Sequence, residues 1–388
     1  LLSLKIDKLQ WKLTSLGDLA TDISRRVDNP ADSDFERFVG LEHFISGDLK
    51  IKNWTTTEKL TSSAKAFKKG DVLLARRNAY LRRASLVDFD GCCSGDAFVL
   101  REHNDKIVPG FLAFIVNCKE FWNFANANAE GTMSKRVKWR DLAKFQVRLP
   151  DIDTQKRLCS LLWSKDSYIE SLEVLDNLVR LAKKAHFINR ISGSEGWEVH
   201  KIKEFSNIVR GSSPRPAGSP EFFNGDFLPW VTVGTLTNNA SPFLYESDIP
   251  SYLTEKGAKQ TRIIPPDTVL LSNSGFSLGV PRILTFKAGA NDGVAAFLDL
   301  RGIEKEYLYY YLDSITEHLR SRIAAGADQP NLNTTRIGNL DIPTPPASVQ
   351  KEIVKEMFAF DETILSTSNS LVASRAVLKN LLNSMFTN

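Results

Sequence analysis

Short apolar runs set off by glycine, proline and asparagine alternate in this chain with two long stretches that contain neither proline nor glycine. Runs such as DVLLA at 71–75, DAFVL at 96–100, PWVTV at 229–233 and DTVLL at 267–271 predict short strands joined by irregular loops. GFLAFIVNCKEFWNFANAN at 110–128 and EYLYYYLDSITEHLRSRIAAG at 306–326 predict helices that end near glycine. The uninterrupted stretches, 155–190 and 348–388, are different in kind. In the second, Met357, Ile364, Leu371, Leu378 and Met385 recur every seventh residue, and Phe360, Leu381 and Leu382 fill part of a second row. That period is a coiled-coil seam. In the first stretch Leu158, Leu161, Leu172, Leu175, Val179 and Ala182 form a comparable stripe, interrupted by Lys165. A lone helix with one apolar stripe needs a partner, and the nearest available is the other stretch. The expectation is an antiparallel pair, each helix roughly 50–60 Å long at ~1.5 Å per residue.

The two long helices also start alike. PDIDTQKRL at 150–158 and PPASVQKEI at 345–353 each follow a strand-like run, FQVRL at 145–149 and LDIPT at 340–344, so Gln155 and Gln350 stand about half the chain apart at one repeated junction. Upstream, the same order of features runs twice. WKLTSLGDLATDI at 11–23 corresponds to WEVHKIKEFSNIV at 197–209, FVGLEHF at 38–44 to WVTVGTL at 230–236, and KKGDVLLAR at 68–76 to IPPDTVLLS at 264–272. AEGTMSKRVKWRDLAKFQVRLP at 129–150 then aligns with AAGADQPNLNTTRIGNLDIPTP at 324–345, placing Gly131 on Gly326. The predicted fold class is α+β: two related globular domains, 1–150 and 194–345, joined by two long antiparallel coiled-coil helices, 151–193 and 346–388, with the halves related by a pseudo-twofold internal repeat.

Composition narrows the class. With 388 residues, 42% hydrophobic and 25% charged, the chain lies in the globular range and can bury two cores. No run approaches the ~18 apolar residues of a membrane span, and lysines interrupt the apolar start LLSLKIDKLQWKL, so a soluble, cytoplasmic protein is expected. Cys92, Cys93, Cys118 and Cys159 form no C-x-x-C pair and have no histidine at ligand spacing, which indicates ordinary thiols rather than a metal site or disulfide framework. The five histidines, His43, His103, His186, His200 and His318, are scattered. No phosphate-binding loop, dinucleotide fingerprint, metalloprotease helix or nucleophile elbow occurs. IPPD at 264–267 and TPPA at 344–347 are not the Asn/Asp-Pro-Pro-aromatic tetrapeptide that an amino-methyltransferase uses to hold its target amine.

A net charge of +4 says little, but its distribution says more. RRNAYLRR at 76–83 sets four arginines around a tyrosine, and KRVKWR at 135–140 sets four cations around a tryptophan. Lysine and arginine neutralise phosphates, and arginine and asparagine make bidentate contacts to base edges, so duplicated modules with such loops point to nucleic acid.

These features together resemble the specificity subunit of type I DNA restriction–modification systems, over essentially the whole chain. IVRGSSPRP at 208–216, GDFLPWVTVGTL at 225–236, PPDTVLLSNSGFSLG at 265–279, GADQPNLN at 326–333 and IPTPPASVQKEI at 342–353 are similar to successive blocks of that family. The first half departs from it, with SRRVDNP at 24–30 in place of the G-x-[ST]-P phrase and TMSKRVK at 132–138 where the second half has ADQPNLN. The resemblance implies two target recognition domains, each reading one half of a bipartite double-stranded DNA site. It also implies helices that dock two methyltransferase subunits and, through that core, restriction subunits. No cofactor is then expected in this chain; S-adenosylmethionine, ATP and Mg belong to the partner subunits.

In the first domain the candidate DNA contacts are Arg76, Arg77, Tyr80, Arg82 and Arg83, with Lys135, Arg136, Lys138 and Arg140. In the second they are Arg210, Ser212, Ser213 and Arg215 in the glycine-proline loop, then Asn273, Ser274 and Phe276, and further on Asn331, Asn333 and Arg336. The helix seam is assigned to Leu161, Leu172, Leu175 and Val179 against Met357, Ile364, Leu371, Leu378 and Met385. Two alternatives stay open. A chain that begins at Leu1 without methionine is compatible with the recognition part of a fused restriction–methyltransferase enzyme, and the helices alone would also suit a scaffold that binds no DNA.

Overall fold

The computed structural model describes residues 8–192, 197–275, 277–323 and 332–386. It divides into two units, residues 1–174 with 369–388 and residues 175–368, and the division passes through both long helices. These are α1 (Ile152–Ser192) and α2 (Ala347–Phe386).

The first unit carries an antiparallel sheet of β1 (Ala20–Asp22), β2 (Val72–Ala75), β3 (Ala84–Leu86) and β4 (Ala97–Glu102), in the order β1-β4-β2-β3. The second carries β5 (Asn207–Arg210), β6 (Thr268–Ser272), β7 (Pro281–Leu284) and β8 (Val294–Leu298), in the corresponding order β5-β8-β6-β7, with Phe243–Leu244 added at the edge. A second sheet repeats as well. Arg37–Val39 lies parallel to Gly91–Cys93, as Phe223–Val231 lies parallel to Ala288–Ala290, and each pair is flanked by antiparallel neighbours. A two-stranded ribbon leads into each long helix, Lys12–Ser15 with Gln146–Leu149 and Glu198–Lys201 with Asp341–Thr344. The repeat read from the sequence is therefore a repeat of topology.

Pairing fixes the alignment of the halves residue by residue. Val72 faces Leu100 and Val269 faces Phe297, so Val72 corresponds to Val269 and Arg76 to Asn273. The left-handed residue before each strand agrees, Gly70 at φ 92° and Asp267 at φ 61°. The sequence alignment of KKGDVLLAR on IPPDTVLLS is thus out by one residue, because it matched Asp71 to Asp267 by identity where the backbone turn matches Gly70. The expected helix at 110–128 is broken into Leu112–Ile115 and Lys119–Ala127, and that at 306–326 into Lys305–Ser314 and Thr316–Ile323.

The long helices bury a different stripe from the one expected on α1. Gln155, Cys159, Leu162, Asp166, Ile169 and Leu172 are buried, whereas Leu161 and Leu175 are 54% and 45% exposed and Val179 is half-buried. Charge sets this phase: Lys50 lies 3.3 Å from Asp166 and 3.1 Å from Glu170, and Lys52 lies 2.7 Å from Glu173, which turns the acidic face of α1 onto the first domain. On α2, Met357, Leu378 and Met385 are buried, Ile364 and Leu371 half-buried, and the second row is completed by buried Thr367 and Ser374. In the first unit Lys165 Nζ donates to Ser374 Oγ at 3.0 Å. In the second, Asp176, Lys183 and His186 meet Ser368, Asp361 and Glu356 in turn, so the helices run antiparallel. No described helix is long and apolar enough to cross a membrane. All four cysteines are buried and outside any disulfide.

Candidate nucleic-acid interface

In the first unit the two basic segments of the sequence come together. Asn78 N donates to Lys135 O and Val137 N to Arg76 O, each at 2.9 Å, and Arg77 and Arg136 form an antiparallel bridge. β2 delivers Arg76 and Arg77 at its end, and the turn into β4 supplies one carboxylate between them. Asp96 lies 2.6 Å from Arg77 Nε, 3.4 Å from Arg136 Nε and 4.0 Å from Arg76 Nε. The Nε groups of Arg76 and Arg77 make no hydrogen bond, so these are ion pairs rather than linear hydrogen bonds. Three cations to one anion leave a positive surplus. Around this node Lys135 and Arg136 are exposed, Lys138 pairs with Glu130, and Arg140 lies 3.5 Å from Asp141. Tyr80, 66% exposed, offers an aromatic face.

Two members of the set turn away from the node. Arg83 donates to Leu41 O at 3.0 Å and Arg77 O at 3.2 Å, and burial holds it below its usual value, so it ties the loop down from within. Arg82, at a left-handed φ of 49°, lines a cleft of about 240 Å³ with Arg375 and Asp166.

The second unit builds its loop on Asp292. The carbonyl of Asp292 accepts from Arg210 Nε and Nη2 at 2.9 and 2.6 Å, Ser213 Oγ donates to its carboxylate, and Arg215 Nη2 lies 3.7 Å away. The Ser213 hydrogen bond, with the two arginines, holds the Asp292 carboxyl below the usual carboxylate range. Ser212 Oγ donates to Gln260 O at 3.3 Å, and a Cβ on Gly211 would sit 2.2 Å from Asn291 O, so only glycine lets the loop approach so closely. Ser274 is half-buried, Asn333 caps the helix Thr334–Gly338 by accepting from Arg336 N at 2.8 Å, and Arg336 is exposed. Asn273, placed among the surface contacts by sequence, is instead fully buried beneath its strand end. Phe276 and Asn331 lie outside the described residues.

The model of the type I restriction modification DNA specificity domain matches residues 194–372. Over that segment the chain is similar to the DNA specificity domain of type I restriction–modification systems. The MjaIX specificity subunit of Methanocaldococcus jannaschii is 31% identical over 172 residues, 43% of this chain and 38% of that protein. The HindI specificity subunit of Haemophilus influenzae is 21% identical over 446 aligned positions, 92% of this chain and 95% of that protein. Two solved chains share the fold at a TM-score of 0.58. One is the S subunit of the type I system of M. genitalium, 16% identical and covering 100% of this chain and 98% of that chain. The other comes from a structure of complex assembly and conformational transition in the type I R-M system, 21% identical and covering 97% and 96%.

The family is named for DNA specificity, a recognition role rather than a catalytic one. Sequence reading found the cations of these loops but missed the acids that organise them. Asp96 and Asp292 sit in SGDAF and NDGVA, each a tight turn before a strand. Clusters of positive charge do not disclose which distant aspartate will be folded against them.

Proposed function

We propose that each unit reads one half of a bipartite double-stranded DNA site, through the surfaces built around Asp96 and Asp292. The observation that carries this reading is the convergence of Arg76 and Arg77 with Arg136, some sixty residues on, at one partly exposed node with surplus positive charge. Arginine forks suit base edges and phosphates alike. We propose further that the long helices dock two methyltransferase subunits, which in turn recruit restriction subunits. In support, Leu161 and Tyr168 in the first unit, and Leu175, Leu178, Leu181 and Leu365 in the second, are exposed apolar positions on helices that already pack along another face. S-adenosylmethionine, ATP and Mg then belong to those partners.

Mapping methylated adenines in cells that express this chain with its cognate methyltransferase tests the reading. The expected result is one motif of two short specified halves around an unspecified spacer, absent when the chain is deleted. A motif that persists without the chain, or one that is continuous, contradicts it.

A further inference from the structure

The turn into the central strand of each unit is the same turn. Ala97 N donates to Ser94 O at 2.9 Å and Val294 N to Asn291 O at 3.0 Å. The strand end beside it is also shared: Arg76 N donates to Asp96 O, and Asn273 N to Gly293 O, each at 2.9 Å. By position Asp96 therefore corresponds to Gly293, and Gly95 to Asp292. The aspartate has moved by one residue, and the packing gives the reason. A Cβ on Gly293 would lie 2.8 Å from both Ser274 Oγ and Val233 Cγ2, so a side chain there forces those neighbours to shift; Gly95, in contrast, faces open space. The second unit supplies its carboxylate from the neighbouring residue: it accepts from Ser213 Oγ and lies 3.7 Å from Arg215 Nη2, while Arg210 is held by the carbonyl of the same aspartate.

We propose that Asp96 and Asp292 are positioning residues, one per unit, that hold the arginines of the DNA-facing loops in base-reading geometry and so set discrimination within their own half-site. The inference rests on the DNA-reading proposal above. A guanidinium contacts a phosphate from many angles but a guanine edge from one, so an untethered cluster keeps affinity and loses selectivity. Fixing the fork before binding removes part of the ordering cost of the specific contact. The carboxylate also subtracts one positive charge, which lowers attachment to any sequence. Asp96 is suited to this because its partners remain open to an incoming duplex: the Arg136 side chain is 44% exposed and that of Arg77 38%.

The test is selection from a random-sequence duplex pool by the full chain, alone and with its cognate methyltransferase. It compares wild type with Asp96→Asn, Asp96→Glu and Asp292→Asn, with circular dichroism melts as the control for folding. Asp96→Asn should flatten the base preference of one half-site and leave the other sharp. The ratio of affinities for selected over scrambled duplex should fall at least tenfold, while scrambled duplex binds more tightly and with a steeper salt dependence. Asp96→Glu should restore part of the preference, and Asp292→Asn should flatten the opposite half. If Asp96→Asn does not fold, the exposed Arg136→Gln must flatten the same half-site. Retention of both preferences by a folded Asp96→Asn, or equal loss from both halves, overturns the inference. A wild-type chain that enriches no motif in either setting overturns the DNA-reading proposal itself, and the inference with it.

Discussion

Two glutamines explain why the junction at the head of each long helix recurs. Gln155 Nε2 donates to Pro150 O at 2.9 Å and its Oε1 accepts from Val108 N at 3.0 Å; Gln350 does the same with Pro345 O at 2.9 Å and Glu304 N at 2.8 Å. Each is buried and stitches a helix start to a loop of its own domain, a demand that no other side chain of that length meets with both a donor and an acceptor. Glu102 is a residue with a testable pH signature. Burial lifts its carboxyl to about 7, although Leu112 N and Gly110 N both donate to it at 2.8 Å. Its folded value lies above the unfolded one, so its contribution to stability is complete below about pH 4.5 and is lost as pH rises through about 7. Glu102→Gln removes this titration. Relative to wild type, the variant should therefore gain stability between pH 5 and pH 8, by about 2–3 kcal/mol at most, read from hydrogen exchange of the first unit. An unchanged difference across that range would show that Glu102 titrates normally. At this scale the surface cations were legible in the sequence, and their roles were not. Arg77 and Arg83 stand in one basic phrase, yet one faces outward beside Asp96 and the other bonds two carbonyls, a distinction made by segments distant in sequence.

At the scale of the element, the length and type of the long helices followed from the absence of proline and glycine, but the buried face of α1 did not. Periodicity counts apolar residues, whereas this seam includes buried Asp166, Thr367 and Ser374, and its phase is set by lysines of the globular domain. Leu378 and Leu161 separate the two faces. Leu378, 6% exposed, packs in the core of the first unit, so Leu378→Ala should cost ~2–5 kcal/mol in denaturant unfolding. Leu161→Ala should change stability by no more than ~0.5 kcal/mol. It should nonetheless weaken co-purification with the methyltransferase subunit, which a change on a bare solvent face would leave intact.

At the scale of the whole molecule, the same three sheets occur in the same order in both units, while identical residues between the halves are few. A repeat of topology with divergent loops suits the proposed reading of two different half-sites. If the helices also set the distance between the half-sites, four residues inserted after Leu175 lengthen α1 by ~6 Å. The unspecified spacer should then grow by roughly one or two base pairs, with both half-sites unchanged; a folded, active variant with an unaltered spacer would show that the helices are not the ruler. The claim that each unit reads its own half is tested most directly by exchanging residues 197–345 for the equivalent segment of a relative and mapping methylated adenines genome-wide. The account predicts that one half-site takes the relative's sequence while the other half-site and the spacer stay as they were; a motif altered in both halves would contradict it.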